Sequence, residues 1–93
     1  MIIGVLKIEL HLPMPNSLKA KRAILKRLIS RLRNAFNVSV SEVDYCDLWQ
    51  RSLLGVTIVG NDKRYLNSVM DKVIDVIETI DDVELLQYAF EFV

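Results

Sequence analysis

Lys19, Lys21 and Arg22 gather three cations immediately behind Ser17 and Leu18. If Ser17 caps a helix, they occupy its first turn, where free backbone N–H groups already favour anions. Exposed cations there oppose the helix dipole by ~0.3–1 kcal/mol each, a cost that a bound phosphate would offset. Lys26 and Arg33 continue the row, and Arg51 lies beyond it in a strand connection. The chemistry these residue types can do is phosphate recognition, so Lys19, Lys21, Arg22, Lys26, Arg33 and Arg51 form the candidate anion- or nucleic-acid-binding set. The competing reading is internal: Glu78, Asp81 and Asp82 neutralise the cluster from a second helix.

A second candidate is the stretch DYCDLWQR, residues 44–51, which holds the chain's one Trp. Trp, Tyr and Arg are enriched at binding hot spots, and a strand connection has little core to reach. Tyr45, Asp47, Trp49 and Gln50 are therefore the candidate partner contacts; the alternative is that Trp49 folds back over a sheet edge. His11 and Cys46 are each the sole residue of their type, and the carboxylates around them are scattered. That pattern has no metal-ligand or nucleophile–base spacing, and Gly4, Gly55 and Gly60 stand apart, so there is no phosphate loop. No catalytic residue, metal or cofactor is expected.

The elements that must position these residues are legible in the apolar spacing. Leu6, Ile8, Leu10 and Leu12 alternate with Lys7, Glu9 and His11, which predicts a strand over residues 2–12. From Ser17 to Phe36 the chain carries seven of its twelve Lys and Arg residues and no acid. Leu18, Ile24, Leu25, Leu28, Ile29, Leu32 and Phe36 fall on one arc there, predicting an amphipathic helix. Lys21 falls inside that arc, whereas Lys19, Arg22, Lys26 and Arg33 share one flank and Arg27 and Arg31 point outward. Residues 37–45 start as a strand with Val38 and Val40 inward, then slip phase at Val43, the mark of a bulge. Arg51–Gly60 is a third strand with Leu54, Val56 and Ile58 inward. Asn61-Asp62 cap a second helix bearing Leu66, Val69, Met70, Val73, Val76, Ile77 and Ile80. Glu84–Val93 is a last strand with Leu86, Tyr88, Phe90 and Phe92 on one face.

The order βαββαβ with one-faced strands and one-striped helices gives an α+β, ferredoxin-like two-layer sandwich: an antiparallel four-stranded sheet in order 4-1-3-2, both helices on one face. Ninety-three residues make one domain, 1–93. That topology puts the 13–16 loop, the start of the first helix, the 44–51 hairpin and the acidic end of the second helix at one end. Outward residues of the central strands are Val5, Lys7, Glu9 and His11 with Leu53, Gly55, Thr57 and Val59. No aromatic stands among them, which excludes the base-stacking sheet of RNA-recognition domains.

Charged residues are 26% of the chain and the formal net charge is zero, but a basic first helix faces an acidic second half. One cysteine excludes a disulfide framework, and no apolar run reaches the ~20 residues of a membrane span. A cytoplasmic protein without membrane contact is expected.

His11-Leu12-Pro13, SLKAKR, RLRNAFNVSVSEVD, DLWQR and LGVTIVGND together resemble the YlxP-like family, small bacterial proteins classed as a domain of unknown function. The resemblance covers nearly the whole chain and is most specific between Ser17 and Asp62. It implies a ferredoxin-like sandwich and a link to translation or ribosome maturation, and it supplies no catalytic residues. The recurring motifs of the family correspond to Ser17, Leu18, Lys19, Lys21 and Arg22, and to Asp44, Asp47, Leu48, Trp49, Gln50 and Arg51. The expectation is a non-enzymatic module that binds structured RNA or a ribonucleoprotein, and not DNA. The alternative is a protein–protein adaptor or homodimer using the 44–51 hairpin and a sheet edge.

Overall fold

A computed structural model describes residues 1–93. The elements are β1 (Ile2–His11), α1 (Leu18–Ala35), β2 (Ser39–Asp44), β3 (Arg51–Gly60), α2 (Lys63–Glu78) and β4 (Glu84–Phe92). The sheet order is β2-β3-β1-β4, every pair antiparallel, as the strand and helix patterns require. β1 and β3 pair along their whole lengths, from Ile2 opposite Gly60 to His11 opposite Arg51. The molecule is elongated, 42 × 21 × 19 Å.

The core lies between the sheet and the helices. Leu6, Ile8 and Leu10 of β1 and Leu54, Val56 and Ile58 of β3 meet Leu25, Leu28 and Leu32 of α1 and Leu66, Val73 and Ile77 of α2. Each fully buried aliphatic side chain contributes ~1.5–3 kcal/mol relative to exposure, so these alternating and 3.6-spaced positions set which face turns inward. Gly4 is a point of close approach: a Cβ there would lie 2.9 Å from the Phe90 ring, which would have to shift to admit it. No helix is long and apolar enough to cross a membrane.

Both helices begin at side-chain caps. Ser17 Oγ accepts from Ala20 N at 3.1 Å, and Asp62 Oδ1 accepts from Arg64 N at 3.0 Å. Ser17→Ala is expected to lower stability by ~1 kcal/mol, read as a shift of the urea midpoint at unchanged slope. An unchanged midpoint would refute the contribution of the cap.

Two strands depart from simple alternation. β2 shifts register between Glu42 and Asp44, the bulge its phase slip predicts. β4 shifts as well, where Glu9 faces Gln87 and Leu10 faces Leu85. This corrects the expected inward face of β4: Leu85 packs on the core, whereas Leu86 is 51% exposed. The extra residue of the bulge reverses side-chain parity on its N-terminal side. Phe90 and Phe92 do pack on the core, edge to face at 4.9 Å, but Tyr88 is half exposed.

Candidate nucleic-acid interface

On α1 the cations divide by the face they occupy. Lys19, Arg22, Lys26, Arg27, Arg31 and Arg33 are exposed, and the first turn holds no acid. The chain's ion pairs are His11–Glu84, Lys21–Glu42, Arg27–Asp82 and Arg51–Glu9, so Lys19, Arg22, Lys26, Arg31 and Arg33 have no carboxylate partner. The acids after α2 do not neutralise the first turn of α1: Asp82 meets Arg27, one row further along, at 3.4 Å. Arg33 is oriented by a backbone group, its Nη2 donating to the Val40 carbonyl at 2.8 Å. That contact covers an acceptor beside the edge strand and leaves the guanidinium's charge unmatched.

Lys21 does not belong to this set. Its side chain is 0% exposed, its Nζ donates to the Tyr45 carbonyl at 2.6 Å and it lies 2.9 Å from Glu42 Oε2. Ser52 Oγ donates to the same carboxylate oxygen at 2.6 Å. The apolar arc turns Lys21 inward, while the inward parity shared by Val40 and Glu42 brings a carboxylate to meet it. The expectation that Lys21 reads a phosphate is therefore corrected. It is a tie rod between the first helix and the β2–β3 connection.

That connection is shaped by Tyr45, the chain's one non-glycine residue of positive φ, at 61°. Asp44 Oδ1 accepts from Tyr45 N at 2.7 Å, and the Tyr45 carbonyl receives Lys21 and Leu48 N, which holds the left-handed backbone in place. The Tyr45 ring lies beneath the Arg51 guanidinium, 4.4 Å from it. Arg51 grips Glu9 through Nε at 2.7 Å and through Nη2, and Gln87 Nε2 donates to the other Glu9 oxygen at 2.6 Å. Arg51 thus sits on the sheet face away from the helices with its charge matched, and it does not join the cations of α1. Glu9, on a nominally solvent face, is only 6% exposed because these partners cover it. An aromatic does reach the open face, but from the hairpin and already occupied by Arg51.

The hydrogen bonds from Arg51 and Gln87, aided by the Arg51 charge and opposed by burial, hold the Glu9 carboxyl below its ordinary value of 4.5. The bond to Glu9 in turn raises Arg51. A depressed carboxyl contributes stability that is complete above its unfolded value and lost as pH falls through the folded one. The stability gap between wild type and Glu9→Gln is therefore expected to be constant near neutrality and to narrow below pH 4.5. Urea unfolding across that range checks it; a gap that widens on acidification would contradict the assignment.

At the hairpin tip, Gln50 Nε2 donates to the Pro13 carbonyl at 3.1 Å, and Leu12 N donates to the Gln50 carbonyl at 2.9 Å. Gln50 therefore fastens the 13–16 loop to the tip. Trp49 is 52% exposed and is not folded back into the core, and Met14, Leu48 and Asp47 are exposed with it. Cys46 is free and exposed, and no group of His, Cys, Asp and Glu is arranged to hold a metal ion.

Sequence reasoning missed Glu42, Ser52 and Glu9. For the first two a signal existed: Glu42 shares the inward parity of Val40, and Ser52 that of Leu54. The burial of Glu9 depends on the strand register and had no local signal.

A family model described as "Protein of unknown function (DUF503)" matches residues 3–90. The Bacillus subtilis (strain 168) protein named "Uncharacterized protein YlxP" is 36% identical over 83 residues, covering 89% of this chain and 90% of that protein. Among solved structures, the de novo designed protein Foldit4 superposes with a TM-score of 0.55 at 14% identity, covering 98% of this chain and 96% of the design. The last is a likeness of fold alone.

Proposed function

This chain belongs to the DUF503 family, proteins of unknown function, and we propose that it is a non-enzymatic module whose α1 binds structured RNA or a ribonucleoprotein. The observation that supports the reading is the exposed face of α1, where five cations stand without a carboxylate partner. Unpaired cations along one flank of a helix match a row of phosphates, and Lys19, Arg22 and Lys26 succeed one another at three- and four-residue spacing, close to one turn. Trp49, exposed beyond the start of α1, adds a stacking surface at the tip. A net charge of zero limits long-range attraction, so affinity is modest and strongly dependent on salt.

The test is a salt series with a structured RNA. Log affinity should fall linearly with log salt, with a slope of about −0.7 to −0.9 per phosphate neutralised, depending on strandedness. A flat profile would overturn the reading. The exposed Met14, Leu48 and Trp49 would then favour a protein partner at the hairpin tip, an apolar contact that salt does not weaken.

A further inference from the structure

Between α1 and the β2 edge runs a groove of about 360 Å³, at the small end of the ~300–1,000 Å³ of ligand pockets. Its floor is apolar, made by Leu25, Ile29 and Val40, and its rim carries Arg22, Lys26 and Arg33. None of those three cations has a carboxylate partner. Arg33 is pre-positioned by the Val40 carbonyl, so its remaining N–H groups and planar face are held ready at little further entropic cost.

The groove also contains one carboxylate, Glu42. Its Oε2 accepts from both Lys21 and Ser52, whereas Oε1 has no hydrogen-bond partner. No buried side-chain nitrogen or oxygen lacks a partner, so the unpartnered Oε1 of this half-buried residue is open to solvent, as the groove allows. The carboxylate is fixed from behind and offers one acceptor in front.

A cationic rim, an apolar floor and a single oriented acceptor make a mixed demand. A bare phosphate would leave the floor wet, and an apolar side chain would leave three cations unmatched. An unpaired nucleotide meets all three conditions: phosphate at the rim, the base face on the aliphatic floor, and a base N–H toward Glu42. Paired bases inside an A-form helix cannot reach such a floor, because their faces are stacked and their edges occupied. We propose that the α1–β2 groove holds one unpaired nucleotide of the bound RNA, so that this surface selects single-stranded, looped or bulged segments over plain duplex. The inference rests on the RNA-binding reading of α1 and names what that surface selects.

The experiment compares short unstructured oligocytidylate with a blunt RNA duplex of the same length, by fluorescence anisotropy at low salt. Charge density alone favours the duplex, so tighter binding of the single strand is expected only if the groove contributes. Ile29→Ala removes part of the floor without touching a charge. It should weaken oligocytidylate by about fivefold and leave duplex binding unchanged. Ser30→Leu, on an exposed position of the same groove, crowds the site without cutting into the core. It should give the same selective loss if Ile29→Ala proves too unstable to measure. Equal or tighter binding of the duplex, with neither variant discriminating, overturns the groove inference and leaves the α1 reading intact. Absence of binding to either RNA overturns both, as does binding of an oligoglutamate peptide in place of RNA.

Discussion

Lys21→Met is expected to destabilise the domain by ~2–3 kcal/mol, the cost of removing a fully buried charged donor from a carboxylate that is itself partly open to solvent. Met fills the same space, so little cavity is created, and the loss comes from what Lys21 leaves behind. The Glu42 carboxylate keeps only Ser52, and the Tyr45 carbonyl, in a left-handed turn, loses a charged donor at 2.6 Å. Chemical unfolding measures it, and a double-mutant cycle with Glu42→Met identifies the cause. Removing both charges should restore much of the stability, because a well-packed apolar pair is often no worse than a buried salt bridge. A single-variant loss below ~1 kcal/mol, a surface pair's worth, would show that Lys21 is solvated in solution and return it to the candidate phosphate-binding residues.

The second large effect concerns association. Replacing Lys19, Arg22 and Lys26 together by Ala removes three exposed cations that touch no carboxylate. Stability should change by at most a few tenths of a kcal/mol per site, and Ala is the best helix former at each. Binding to RNA should fall by on the order of 10²–10³ at low salt, with the salt slope shrinking by roughly one unit per lost phosphate contact. The slope separates this from general damage, since a misfolded fraction lowers amplitude without changing the dependence of affinity on salt. A triple variant with lowered stability and undiminished association would make the stripe structural.

The fold was legible because its positions repeat. One apolar face on β1 and β3 and one stripe on each helix leave a single economical packing, and both N-caps stand in the sequence at Ser17 and Asp62. Leu28 and Ile77 share the core as those patterns require. The site was legible only where exposure follows from helical phase, as at Lys19, Arg22 and Lys26. Lys21 shows that helical phase outranks charge: the arc turns it inward, and Glu42 is the matching inward charge on β2. Arg51, Glu9 and Gln87 meet only through cross-strand register, which no local pattern encodes. The bulge that exchanges Leu85 for Leu86 is also an event between strands, so alternation alone carried the wrong residue inward.

The central place of β1 governs how the chain reaches this structure. β1 is flanked by β3 and β4, and the Glu9–Gln87 contact joins residues 78 apart in sequence. Closing so long a loop must precede the contacts that reward it, so folding is expected in about milliseconds or slower, unlike a helical bundle. Were β4 to detach, the remaining sheet would be β2-β3-β1. β1 would then be an edge, carrying unpaired N–H and C=O groups along a strand whose inner face is Leu6, Ile8 and Leu10. Such an edge can accept a strand from a neighbouring chain in place of its own C-terminal segment. Docking of β4 is thus a competition between intramolecular closure, which is independent of concentration, and intermolecular pairing, which is not. Dilute refolding favours closure, and crowded refolding draws the chain toward aggregates nucleated at β1.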